Sequence, residues 1–166
     1  MRILLPEIEM RRARRGLGLA LAACLWAAGT AARGGDYTWV APGAGSWSTA
    51  SNWSPPVGPP RSAGDRAIFS ASGGGNCTAL LPVDCGTLEV RAGYAGTLAG
   101  LSLKFKQVFV GGGTVLAAVT CNGDVEYASG VLTSLILEGE GVFSGTNGAA
   151  LFSLRIAPAC IRRRIF

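Results

Sequence analysis

Residues 88 to 140 read LEVRAGYAGTLAGLSLKFKQVFVGGGTVLAAVTCNGDVEYASGVLTSLILEGE, from Leu88 to Glu140. Short alternating segments fill this stretch: Leu88-Glu89-Val90-Arg91, Leu103-Lys104-Phe105-Lys106, Val125-Glu126-Tyr127 and Leu135-Ile136-Leu137-Glu138. Period-two alternation bounded by glycine-rich turns marks half-buried strands, and no apolar stripe of helical period runs for three turns. The class is all-β.

Spacing narrows the class to an architecture. The steps Gly96-Thr97-Leu98, Gly113-Thr114-Val115 and Gly130-Val131-Leu132 follow one another at 17 residues, and Ser144-Gly145-Thr146 echoes them 15 further on. Strand starts at Leu88, Leu103, Val119 and Leu135 advance by 15, 16 and 16 residues. Such a period is too short for a βαβ unit. It suits one coil of a β-solenoid, whose inward face is buried only by the neighbouring coils. The expected fold is therefore a short parallel β-helix, with a β-sandwich as the alternative. Solenoid repeats are placed at residues 85–148, a Trp-rich cap at 33–84 and an atypical tail at 149–166.

Same-face charge pairs decorate the strands: Glu89 with Arg91, Lys104 with Lys106, Asp124 with Glu126, and Glu138 with Glu140. Successive side chains of a strand point to opposite faces, so i and i+2 share one. If coils stack in order, the lysine pair faces Asp124 and Glu126. Exposed cross-strand pairs contribute about 0.2–1 kcal/mol each, setting register more than stability.

Outward from the repeats, the N-terminus reads as an export leader. Arg2, Arg11, Arg12, Arg14 and Arg15 precede an apolar run from Leu17 to Ala28, and Gly29-Thr30-Ala31-Ala32 supplies small residues for cleavage. Basic, apolar and small-residue regions in that order make a secretory signal peptide, here 1–32. The run is too short for a membrane span, which needs roughly 20 apolar residues. Met10 heads a more conventional basic region than Met1. Leu21-Ala22-Ala23-Cys24 matches a lipoprotein cleavage site, although cleavage near Ala32 fits the length of the apolar run better.

Removing the leader dissolves the apparent basicity. From Arg33 onward ten Lys or Arg face eight Asp or Glu, and residues 34–154 hold five against eight. A pI near 9.3 would suggest nucleic acid. Here the charge sits at the two ends, and nucleic-acid binding is excluded as a reading. Cys77, Cys85, Cys121 and Cys160 remain as candidates for disulfides in an oxidising compartment, with three connectivities open. They serve equally as buried strand residues.

The segment before the repeats is distinctive. Thr38-Trp39, Gly45-Ser46-Trp47-Ser48, Ser51-Asn52-Trp53, Pro59-Pro60 and Gly64-Asp65-Arg66-Ala67-Ile68-Phe69 follow in order. This resembles the opening of large bacterial surface proteins of the autotransporter-passenger-like kind, in which a Trp-rich segment begins a run of Gly-rich β-repeats. Cys77-Thr78, Gly93-Tyr94-Ala95-Gly96-Thr97 and Gly112-Gly113-Thr114 resemble stations of that run, so the resemblance covers about residues 36–148. It implies an exported structural or adhesive role at the bacterial cell surface, without catalytic residues or cofactors. The acceptor patterns Asn52-Trp53-Ser54 and Asn76-Cys77-Thr78 carry no weight in a bacterial setting.

Competing chemistries are weighed against that role. Trp39, Trp47 and Trp53 could stack sugar rings, but large indoles also suit a hydrophobic plug at a solenoid end, which is the favoured reading. Asp124 with Glu126, or Glu138 with Glu140, resemble glycosidase or calcium carboxylates, yet nothing in the sequence encodes the cleft that such chemistry requires. The chain holds no histidine, which excludes a Ser-His-Asp triad. Gly111-Gly112-Gly113 lacks the Lys and helix of a phosphate loop. The expected function is a non-enzymatic surface module without metal. A carbohydrate-binding module ranks second and a polysaccharide-degrading β-helix enzyme third. Expected partners are extracellular polysaccharide or cell-surface components, together with self-association through an open solenoid edge at the strand from Leu135.

Overall fold

The computed structural model describes residues 34–145, 150–151 and 153–156. Leader, Cys24 and Cys160 lie outside them. Twelve strands follow in chain order: β1 (Asp36–Trp39), β2 (Gly45–Ser46), β3 (Trp53–Ser54), β4 (Arg66–Phe69), β5 (Cys77–Ala79), β6 (Val83–Val90), β7 (Thr97–Gly100), β8 (Leu103–Cys121), β9 (Val125–Leu137), β10 (Phe143–Gly145), β11 (Ala150–Leu151) and β12 (Leu154–Ile156). A single 3₁₀ turn, Ala50–Asn52, interrupts them among the described residues.

The strands curl into a parallel β-solenoid of about four turns. Three ladders run along it. The first takes Ala67, Leu88, Val108, Val125 and Phe143 in register. Cys77, Leu98, Val115, Leu132 and Leu151 build the second. The third starts with Val83 on Leu103 and continues with Val119, Leu135 and Leu154. Its two halves join where Asn122 N–H donates to Phe105 O at 3.0 Å. β8 and β9 are long because they run round corners: β8 passes from the third ladder through the first and second back to the third, turning three, and β9 takes the first, second and third in turn, turning two.

Alternation explains what fills the interior. Leu88, Val90, Leu98, Leu103, Phe105, Val108, Val110, Val115, Leu132, Leu135 and Leu137 are all buried. Burying an aliphatic side chain contributes about 1.5–3 kcal/mol, and no coil could do this alone. Corners need backbone that bulkier residues resist. Gly113 and Gly130 hold φ of +66° and +100°. A Cβ on Gly130 would lie 2.7 Å from the carbonyl oxygens of Gly112 and Gly113 in the coil beneath.

The 17-residue glycine steps are therefore real corners: Thr97, Thr114 and Val131 stack, as do Leu98, Val115 and Leu132. Three expectations need correction. Leu88 does not share a column with Leu103: it belongs to the first ladder and Leu103 to the third, where Val83 precedes it. Gly145 pairs with Tyr127, so the next glycine-step position is Ala150 on Val131. Lys104 stands opposite Asp84 rather than the Asp124 and Glu126 pair, because the chain turns a corner between the two lysine-bearing and aspartate-bearing ladders. Its Nζ reaches Glu138 at 3.7 Å.

The ladder also extends beyond residues 85–148. β1, β4 and β5 already pair in parallel ahead of it, and β12 stacks on Leu135–Leu137. The strand from Leu135 is thus covered rather than an open edge.

Candidate functional site

Two features at the N-terminal end concentrate unusual chemistry. The first is the tryptophan cluster. Trp39 ends β1, Trp53 begins β3, and the two strands pair antiparallel, so β3 closes the first ladder. Trp47 follows β2. Trp39 and Trp53 meet edge to face at 5.2 Å, Trp47 and Trp53 at 4.8 Å, and Phe69 lies 5.6 Å from Trp53. Edge-to-face contacts at such distances are favoured by the ring quadrupoles.

These rings are inside. Trp39, Trp47 and Trp53 are 0%, 5% and 1% exposed. Each indole N–H is satisfied within the fold, by Gly75 O at 2.9 Å, Pro60 O at 3.3 Å and Trp47 O at 2.7 Å. A sugar-stacking platform needs an open ring face, and none of the three offers one. The tryptophans are a plug, and the carbohydrate role considered for them is withdrawn.

Asp65 ties together the backbone on either side of the Trp-rich segment. Backbone N–H groups of Gly35, Arg61 and Ser62 donate to its carboxylate at 3.0, 3.0 and 2.9 Å. Burial opposes its charge, but the donors from Arg61, Gly35 and Ser62 outweigh it and hold the carboxyl below its ordinary value.

The second feature is a cleft of about 590 Å³ beside the plug. It is lined by Val83 and Asp84 at the start of β6, by Trp47, Pro59, Pro60 and Arg61, and by Leu80 and Leu81. Leu80 and Leu81 are 69% and 71% exposed, and Leu101, which follows β7 as Leu80 follows β5, is 71% exposed. Adjacent exposed leucines beside a mostly apolar cleft are an interaction feature, unlike scattered single ones. Sequence reasoning passed over this site. Its signal was Leu80-Leu81-Pro82, where two apolar residues in succession break the alternation.

Other candidates disperse. Asp124 and Glu126 stack beside Gln107 and Phe109 on the outer side of the first ladder, and Asp124 Oδ1 accepts the Val142 N–H at 2.7 Å. Shallow grooves of about 330 and 410 Å³ run past Thr87, Gln107 and Asp124. Glu138 is engaged by Lys104, and Glu140 is exposed. An ion-pair chain of Asp36, Arg66, Glu89 and Arg91 climbs the first ladder. Among the described residues, no three His, Cys, Asp or Glu side chains gather as a metal site would require.

Cys77 and Cys85 are buried free thiols. Burial pushes the Cys85 thiol up to about 11 and the Cys77 thiol higher still. Cys121 is also buried, its Sγ 3.4 Å from the carbonyl oxygens of Lys106 and Gly123. Cys85 and Cys121 share the third ladder with the Phe105 strand between them. Two strand spacings, about 9.6 Å, exceed what a disulfide spans. Sequence had left these cysteines open as bridges or as core, and Cys77 and Cys85 are core.

The fold defines a class, the parallel β-solenoid with an aromatic N-terminal cap. Comparison with family models, with known proteins and with solved structures returns no match.

Proposed function

We propose that this chain is an exported structural or adhesive surface module, a short shaft of stacked coils that presents its outer faces without performing a reaction. One observation carries the reading: three parallel ladders stack coil on coil from β1 and β2 to β10, β11 and β12, beside a buried aromatic plug. Such a body gains stability from stacking and leaves its outer faces free for contact. The basic-apolar-small leader and the resemblance to autotransporter-passenger-like surface proteins point the same way. Buried thiols suit either compartment, so they do not bear on the assignment.

Expression of the full chain in a bacterial host with an export pathway tests this. The expected result is protein outside the cytoplasm whose N-terminus lies just past Ala32. A diacylated species beginning at Cys24 would keep the surface role and change the anchoring. Cytoplasmic protein retaining Met1 or Met10 would overturn export, and turnover of a polysaccharide would overturn the non-catalytic reading.

A further inference from the structure

We propose that the cleft between Trp47 and Leu81 is a peptide-binding site that adds an extended segment, patterned apolar–basic–apolar, as an extra strand on the start of β6. The inference goes beyond the surface-module reading and stands whether or not the chain is exported.

The geometry of a parallel ladder carries the first step. Alternate residues of a strand bond to opposite neighbours. Val83 N–H donates to Ser102 O at 3.1 Å, so Val83 and Cys85 turn their backbone groups toward β8. Asp84, between them, turns its N–H and C=O the other way, over the cleft. Two residues on, Gly86 N–H is taken by Ser62 O at 3.1 Å. β4 pairs with β6 only from Thr87 onward, so no described strand lies against Asp84 on this side, and no described loop takes its backbone groups. The other two ladders are closed at this end: β3 pairs with β1, and Ser46 O on β2 accepts from Thr49 N–H and the Asn52 amide. Among the described residues at this end, the third ladder alone presents an open edge, and an open edge is a template for a strand.

Walls and charges specify what docks. Leu80, Leu81, Pro60 and Trp47 line the cleft beside this edge, with Ser46, Ser48 and Arg61 as its polar members, so the residues on either side of the pairing position are best apolar. The Asp84 carboxylate is in no ion pair among the described residues: Lys104 across its register reaches Glu138, and Arg61, which lines the same cleft, forms none with it. A basic residue beside Asp84 completes the charge. The strand on the opposite side of β6, Leu103-Lys104-Phe105, has this same pattern.

A labelled peptide Ser-Leu-Lys-Phe-Lys-Gln, titrated into the full chain and followed by fluorescence anisotropy, is the probe. Saturable binding is expected, weakened about tenfold or more by Leu81→Glu, which replaces an exposed side chain and leaves the melting temperature in place. Peptides N-methylated at every second residue, in each of the two phases, separate strand addition from simple adhesion. One phase should lose about tenfold, the scale of one backbone hydrogen bond, and the other should bind normally. Asp84→Lys should favour a peptide carrying Glu for the first Lys. Equal binding by both methylated phases, indifference to Leu81→Glu, or no binding would overturn the proposal. So would a dimer in light scattering that Leu81→Glu dissociates and the peptide leaves intact, which would assign the cleft to a second copy.

Discussion

Single side chains at the capped end have readable costs. Trp53 touches Trp39, Trp47 and Phe69 and is nearly inaccessible. Trp53→Ala should destabilise the chain by about 3–5 kcal/mol in denaturant titration, as loss of a buried large ring does. Asp65 titrates. Its folded-state carboxyl lies below the unfolded value, so its contribution is complete above the ordinary carboxylate range and is lost as pH falls through the depressed folded value. Asp65→Asn should therefore lower stability at neutral pH by about 1–3 kcal/mol and flatten the acid arm of a melting-temperature profile from pH 6 to pH 2. An unchanged acid arm would show that other carboxylates govern acid unfolding. Asp36 is also held below its usual value, first by its hydrogen bond from Arg66, but the pair is largely solvent-exposed and contributes little.

At the scale of elements, what the sequence made legible follows from what each pattern encodes. Corner glycines are visible because the corner demands positive φ, and the steps at Gly113 and Gly130 fall where they were read. Gly130→Ala should cost at least about 1–2 kcal/mol, measured by thermal unfolding, because the added methyl meets two carbonyl oxygens at 2.7 Å. Phase between ladders was not legible. Leu88 and Leu103 both begin apolar alternations, and nothing in a period of two records which side of a corner a segment occupies. That ambiguity also misplaced Lys104 relative to Asp124. The cap was readable from its tryptophans, whose size argues for burial wherever a solenoid end must be sealed. Its neighbouring cleft was not, since an open edge is a property of ladder closure, decided by where β3 and the 3₁₀ turn lie rather than by any residue of β6 itself.

Across the whole molecule, quasi-equivalent coils imply modular tolerance. Val108 stacks directly on Val125, so excising residues 108–124 joins Gln107 to Val125 and removes one complete coil in register. The shortened protein should keep its β circular dichroism and unfold cooperatively at a lower temperature, since it loses one stacking interface. Excision of an odd fraction, such as 108–115, should abolish cooperative unfolding, because every inward side chain beyond the cut would then face the wrong ladder.

The ladders also decide how the body responds to load. Backbone hydrogen bonds between successive coils point along the solenoid axis, while the strands lie across it. Tension applied along that axis meets these bonds a few at a time, peeling the rearmost coil before the next is strained. Each released coil of 17 residues would lengthen the tether by roughly 60 Å. Drawn from the C-terminal side, such a stack should yield coil by coil, like an unwinding spool, and reach the aromatic plug at Trp39, Trp47 and Trp53 last.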